Sequence, residues 1–339
     1  MARPTARGLL GALTACLFLV LFAVPATAAK NVDENTVGLE VLGRSYGMKA
    51  SWTKPGRTLR LQSAWTTLEF TAGSREAAWN GARLFLGEPV QVHRHTLRID
   101  RKDWEAIVRP LLDPTAIAGA GDLKLVVIDP GHGGSDPGAG NKALGLREKD
   151  ATLDVAHRLR RDLQRRGYRV ALTRDGDTRL GKSQAADLKQ RAALADKLGA
   201  DVFVSLHFNA LPKHPKVSGV ETYTLTPAGQ RSTASHRRAP GDRKVQPGNR
   251  HDHWSAVLGA AVHRSLLRRL DATDRGLKRA RFAVLRPITC PAVLVEAGFI
   301  TNPAEARKIG TPAYRQQIAE AIGEGIGHYH SRLRESRNE

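Results

Sequence analysis

Two apolar runs that each end in a histidine constrain this chain more than any other feature. Leu-Val-Val-Ile-Asp-Pro-Gly-His132-Gly-Gly and Val-Phe-Val-Ser-Leu-His207-Phe-Asn are short, rich in β-branched residues and closed by turn formers, the pattern of strands buried on both faces of a parallel sheet. Strands are expected at 123–129, 168–173, 201–206, 219–225, 282–285 and 292–296. Helical periodicity falls between them: Leu153, Ala156, Leu159 and Leu163 share one face, and 186–198, 254–270 and 314–333 follow. The alternation predicts an α/β fold, a mainly parallel six-stranded sheet flanked by helices and preceded by a small strand-rich domain.

In open α/β sheets the ligand crevice lies outside the carboxyl ends of the strands. His132 and His207 both sit at that edge. A third run, Pro-Ala-Val-Leu-Val-Glu296-Ala-Gly-Phe, brings a carboxylate there, and Glu148 opens the helix that carries Leu153. Two histidines and two carboxylates are the side chains of a zinc hydrolase. A catalytic zinc keeps three protein ligands and one open position, so His132, Glu148 and His207 are expected to hold one Zn2+ per chain, with Glu296 as the base that takes a proton from water. The chain has only Cys16 and Cys290, which excludes a Cys-rich structural zinc module.

Each residue alone has a plainer role. A strand-end histidine is ordinarily solvated or capped, Glu148 suits the first turn of a helix, and Glu296 could pair with an arginine. Gly131, Gly133 and Gly134 around His132 favour the site, because glycine lets the chain turn sharply and aim the ring. Four such coincidences at one sheet edge are improbable.

The blocks Ile-Asp-Pro-Gly-His132-Gly-Gly, Glu148-Lys-Asp, Leu-Thr-Arg174, Ser205-Leu-His207-Phe-Asn209-Ala and Pro291-Ala-Val-Leu-Val-Glu296-Ala-Gly-Phe-Ile-Thr-Asn lie within 123–329. In order and spacing they resemble the zinc-dependent N-acetylmuramoyl-L-alanine amidases of the amidase-3 type, bacterial cell-wall enzymes. The resemblance implies hydrolysis of the amide between N-acetylmuramic acid and L-alanine in peptidoglycan. It also places the zinc ligands at His132, Glu148 and His207 and the catalytic glutamate at Glu296. Asn209 and Arg191, in matching blocks, are candidates for substrate contact or for orienting the ligands. The alternatives are a non-catalytic peptidoglycan-binding protein of the same fold and a zinc carboxypeptidase, which uses the same ligand set.

The rest of the chain frames this centre. Residues 1–28 read as a secretory signal peptide, with Arg3 and Arg7 before an apolar stretch and Ala26-Thr27-Ala28 at its end, so the protein is expected to be exported, periplasmic or wall-associated. A retained anchor, or lipidation at Cys16, is the alternative. Removal of Cys16 would leave Cys290 without an internal disulfide partner. Residues 31–113 alternate like half-buried strands with a hairpin at Asn80-Gly81. Around Trp79-Asn80-Gly81 this stretch looks similar to the small domain that begins copper amine oxidases. A linker at 114–122 precedes the catalytic domain, 123–333. Net charge is +20, which favours anionic wall polymers as partners beside peptidoglycan; export argues against nucleic acid. A monomer is expected, and no activator protein can be named. The basic stretch 226–253 reads as a surface loop with His251 and His253 as a solvated pair, and Glu221 as an outward residue on its strand.

Overall fold

The computed structural model describes residues 35–117 and 121–337; the expected signal peptide and part of the expected linker lie outside the described residues. One mixed sheet organises the molecule. Its first six strands run in the order Arg169–Leu172, Leu125–Pro130, Val202–Asn209, Ala292–Phe299, Val220–Leu225 and Asp274–Ala280. All neighbours are parallel except Val220–Leu225, which runs antiparallel to Ala292–Phe299. Every residue of Leu125–Pro130 is buried, as its apolar run, broken only by Asp129, requires. Helices Glu148–Arg165, Asp252–Leu270 and Pro312–Ser336 cover one face through Leu159, Leu258, Ile322 and Tyr329. Helix Gln184–Leu198 covers the other, with Val284, Leu285 and Ile288 beside it.

The expected strand at 282–285 is a turn, and the strand is Asp274–Ala280. Its sequence, Asp-Arg-Gly-Leu-Lys-Arg-Ala, hides it. The charged side chains are paired: Arg275 and Lys278 both reach Glu221, whereas Arg279 is buried against Asp103. Phe282, Val284 and Leu285 are apolar because they pack on the second core, not because they extend the sheet.

The strand-rich region continues the same sheet. Strand Ala82–Phe85 pairs in parallel with Asp274–Ala280 at Leu84 and Leu277, and an antiparallel meander leads on to Lys49–Lys54. Asn80 and Gly81 both have positive φ, so the Glu76–Trp79/Ala82–Phe85 hairpin forms at the expected Asn-Gly turn. Strands Thr36–Gly38, Gln91–His93 and Thr96–Asp100 make a second, three-stranded sheet. Between the two sheets, Leu59, Leu68, Phe70, Leu97 and Ile99 form a separate core.

The 226–253 stretch is anchored to this region. Arg231 and Arg238 both pair with Glu88, and the Arg75 guanidinium donates to the carbonyls of Arg231, Ser232, Thr233 and Ser235. A basic segment that looks free in sequence is therefore docked through backbone carbonyls, acceptors that a residue pattern does not display.

Candidate metal centre

Beyond Pro130 the chain leaves the sheet through Gly131, and His132 adopts φ +62°. A non-glycine residue in that conformation is held there by its surroundings. Three successive carbonyls are gripped by buried guanidiniums. Arg191 donates to the Pro130 and His132 oxygens at 2.7 and 2.6 Å, and Arg174 donates to those of Pro130 and Gly131 at 2.9 and 3.0 Å. Burial and the neighbouring Arg191 charge push Arg174 down to about 10. A Cβ at Gly131 would collide with the His207 ring, and one at Gly138 with His132 and Glu148. The glycines bring the loop onto the ligands.

Glu148 opens the Glu148–Arg165 helix and is 3% exposed. Its Oε2 accepts from the Ala139 backbone at 2.8 Å, and its Oε1 from Phe208 at 3.1 Å. The same Oε1 lies 3.1 Å from His132 Nε2 and 3.0 Å from His207 Nδ1. One donor atom from each of the three side chains fits within 4.8 Å of the other two. Burial alone would raise Glu148, but the two imidazoles hold its carboxyl well below the usual carboxylate range. Likewise burial opposes a charged His132, and Glu148 and Asp136 overcome it, raising its pKa. Asp136 Oδ2 sits 3.0 Å from His132 Nδ1, the carboxylate–histidine pairing that fixes which ring nitrogen faces a metal.

Glu296 stands beside His207 across the parallel pair and beside Glu221 across the antiparallel one. Its Oε2 is sealed from solvent and has no hydrogen-bond partner among the described residues. Burial raises its pKa well above the ordinary value, and the charges of Glu148 and Glu221 push the same way. An unsatisfied buried carboxyl oxygen is costly, so this atom is matched to something the chain itself does not supply. His132, Glu148, His207 and Glu296 all line one cleft of about 550 Å³ with Phe282 and Val284 on its wall.

The two secondary candidates, Arg191 and Asn209, line the same cleft, each already bonded to other residues. Arg191 is 1% exposed and committed to Asp129, Asp187 and loop carbonyls; it holds the His132 turn and does not present a free guanidinium to the cleft. Asn209 donates to Glu221 Oε2 at 2.9 Å. Glu221 is not solvated. It is 3% exposed and accepts from Arg275, Lys278 and Tyr223 at 2.7, 2.6 and 2.6 Å. The alternation of its strand could not reveal this, because two of its partners come from the Asp274–Ala280 strand that hydrophobicity conceals. Asp129, Asp187 and Glu221 complete the frame of the site through Arg191 and Asn209. Of the three, only Asp129, a carboxylate inside an otherwise apolar run, is signalled by the sequence. His251 and His253 bring no third donor, and the one cluster suited to a metal among the described residues is His132, Glu148 and His207. No residue of 226–253 lines the cleft.

Known proteins match the part of the chain that carries this centre. The Amidase_3 family, described as N-acetylmuramoyl-L-alanine amidase, matches residues 126–328. The N-acetylmuramoyl-L-alanine amidase AmiA of Escherichia coli (strain K12) is 34% identical over 231 residues, covering 62% of this chain and 77% of that protein. The germination-specific N-acetylmuramoyl-L-alanine amidase of Bacillus subtilis (strain 168) is 33% identical over 216 residues, covering 61% and 79%. An uncharacterised cell wall amidase of Bacillus anthracis is 34% identical over 208 residues, but this chain spans only 35% of its length. Among solved structures, the N-acetylmuramoyl-L-alanine amidase of Clostridium difficile 630 is 32% identical with a TM-score of 0.50, covering 62% of this chain and 97% of that one.

Proposed function

The chain belongs to the Amidase_3 family of N-acetylmuramoyl-L-alanine amidases, and from that premise we propose that it hydrolyses, with one zinc ion, the amide joining the lactyl group of N-acetylmuramic acid to the L-alanine of the peptide stem. The observation that carries the reading is the unpartnered, buried Glu296 Oε2 beside a three-donor cluster. The donor set fits the metal: two imidazoles and a carboxylate suit Zn2+, and three protein ligands leave a position open. His132, Glu148 and His207 would hold it. Zinc supplies Lewis acidity there, polarising a carbonyl oxygen and acidifying water.

The protein's own groups do the rest. Glu296 Oε2 accepts the proton of the attacking water and returns it to the stem nitrogen as the C–N bond breaks, leaving a lactyl carboxylate on the sugar and a free amine on L-alanine. Burial and the nearby Glu148 and Glu221 charges raise its pKa, the direction that lets a carboxylate which has taken up a proton hold it until the amine leaves. Asp136 holds His132 in one tautomer. Arg191 and Arg174 fix the loop carbonyls, and Asn209, Tyr223, Arg275 and Lys278 hold the Glu221 carboxylate in place beside Glu296. We place the protein outside the cytoplasm on the strength of the apolar leader at 1–28, and keep 31–113 and 123–333 as the proposed domains. No helix among the described residues is long and apolar enough to cross a membrane.

Digestion of purified peptidoglycan, read by mass spectrometry, tests the reading. Stems beginning with a free L-alanine amine and uncut glycan strands are the expected products. Release of single residues from the stem's carboxyl end would identify a carboxypeptidase instead.

A further inference from the structure

A second cleft, of about 370 Å³, opens between the strand-rich region and helices Asp252–Leu270 and Pro312–Ser336. It shares no lining residue with the metal cleft. At its edge stands Trp65, 88% exposed, in the turn that leads into strand Thr67–Thr71. Within it Arg264 lies 4.9 Å over the Trp79 ring. Arg268, one helical turn on, sits 3.0 Å from His328. Arg332 is already paired with Glu335 at 2.6 Å.

A lone exposed tryptophan is ordinary, and a chain of net charge +20 has arginines to spare. Three further observations separate this place from a solvated face. Arg264 and Arg268 are like charges at i and i+4, an arrangement that repels, and no carboxylate among the described residues pairs with either. Burial, then the Arg268 charge, lowers the Arg264 pKa. Two donors in the wall are also unsatisfied: Ser265 Oγ, in a residue fully shielded from solvent, and Trp79 Nε1. The two guanidiniums rest on a ring and an imidazole and not on a carboxylate, and they line a concave volume of ligand size whose one carboxylate, Glu335, is taken up by Arg332.

We propose that this cleft binds an acidic saccharide, its carboxylate on Arg264 and Arg268 and its ring face on Trp65. The flat indole supplies amphipathic contact area for a sugar ring, and the guanidinium forks match a carboxylate. The inference rests on the amidase reading for its choice of saccharide. Amide hydrolysis turns an uncharged lactyl amide into a lactyl carboxylate, so the glycan acquires the group this cleft lacks only after its stem has been removed. The protein is thereby held on strands it has already stripped.

The test is calorimetric titration of the full chain with soluble glycan strands bearing free lactyl carboxylates, prepared with a separate amidase. Trp65→Ala, and the double variant Arg264→Gln/Arg268→Gln, should each weaken binding roughly tenfold or more, by loss of a large contact face or of charge-assisted hydrogen bonds. Trp65→Phe should recover part of it. Strands whose carboxylates are converted to methylamides should bind as weakly as the double variant. Cleavage of a short soluble muropeptide should be unchanged in all three variants. Equal binding by wild type and variants, or by amidated and free strands, overturns the proposal, as does displacement of the strands by poly(glycerol phosphate) at equal charge. A wild-type chain that cleaves no muropeptide yet binds strands through Trp65 and the two arginines defeats the amidase reading and leaves the cleft's ligand standing.

Discussion

Asp129 and Glu296 lie toward the carboxyl ends of two strands of the same sheet, separated by the strand that carries His207, and their surroundings could hardly differ more. Asp129 is 1% exposed and accepts from Thr173, Ser205 and Arg191 at 2.6, 2.8 and 2.8 Å. Burial would raise its pKa, but Arg191 and the two hydroxyls more than offset that and hold it below the ordinary value. Glu296 lines the cleft with the charges of Glu148 and Glu221 nearby, its shielded Oε2 has no partner among the described residues, and its pKa is raised. The same functional group becomes scaffold where its lone pairs are filled and reagent where they are not. The difference is set by neighbours from other strands. Asp129 faces Ser205 on one neighbouring strand and Thr173 just past the end of the other, and Glu296 faces Glu221 on an antiparallel one.

The largest expected effects fall on the reagent side. His132→Ala and His207→Ala should each lose stoichiometric zinc and with it all measurable amide cleavage, read by elemental analysis and product release. Zinc retained in full by both variants would remove these residues from the ligand set. Glu296→Gln keeps the shape but not the basicity. Cleavage should fall by roughly 10² to 10⁴-fold, the usual contribution of a positioned general base, with zinc content and melting temperature preserved. If Glu296→Gln loses zinc while Glu148→Gln keeps it, ligand and base have been exchanged. On the scaffold side, Asp129→Ala leaves the buried Arg191 short of a countercharge and two hydroxyls without their acceptor. A loss of about 3–5 kcal/mol in urea unfolding is expected. A loss below about 1 kcal/mol, the scale of an exposed pair, would mean that the network does not hold the His132 turn.

Sequence carried the reagent side far better than the scaffold side. His132, His207 and Glu296 are legible because an apolar run interrupted by a polar residue marks a strand and the functional edge of its sheet, although the strands expected to stop at 206 and 296 run on to Asn209 and Phe299. Glu148 is legible through helix-start chemistry. What stayed hidden depends on partners supplied across the fold. Glu221 looks solvated until Arg275 and Lys278 arrive from a strand that itself looks like a loop, since its charges are neutralised only in three dimensions. Arg174 and Arg191 carry no sign in sequence that they bind carbonyls of the His132 turn. The shared sheet is equally silent, because its seam is a single register, Leu84 against Leu277, closed by the buried Arg279–Asp103 pair at 2.9 Å.

The smallest effect is the sharpest test of the comparison, because the two carboxylates should respond to pH with opposite sign. Asp129 has a folded pKa below its unfolded value near 3.9. Its contribution to stability is therefore complete above about pH 4 and is lost as pH falls through the folded value. Against wild type, Asp129→Asn should be less stable at neutral pH, with the gap closing under acid. Glu296 has a folded pKa raised above its unfolded value near 4.3. It stabilises the fold fully only below about pH 4 and loses that contribution as pH rises through the folded value. Glu296→Gln carries no such charge, so the metal-free variant should gain on metal-free wild type steadily as pH rises. Thermal melts of the three chains, stripped of metal and run from pH 3 to 9, decide it. If both gaps move the same way with pH, then the environments of the two carboxylates are alike, and the division between a filled scaffold carboxylate and a reactive one fails.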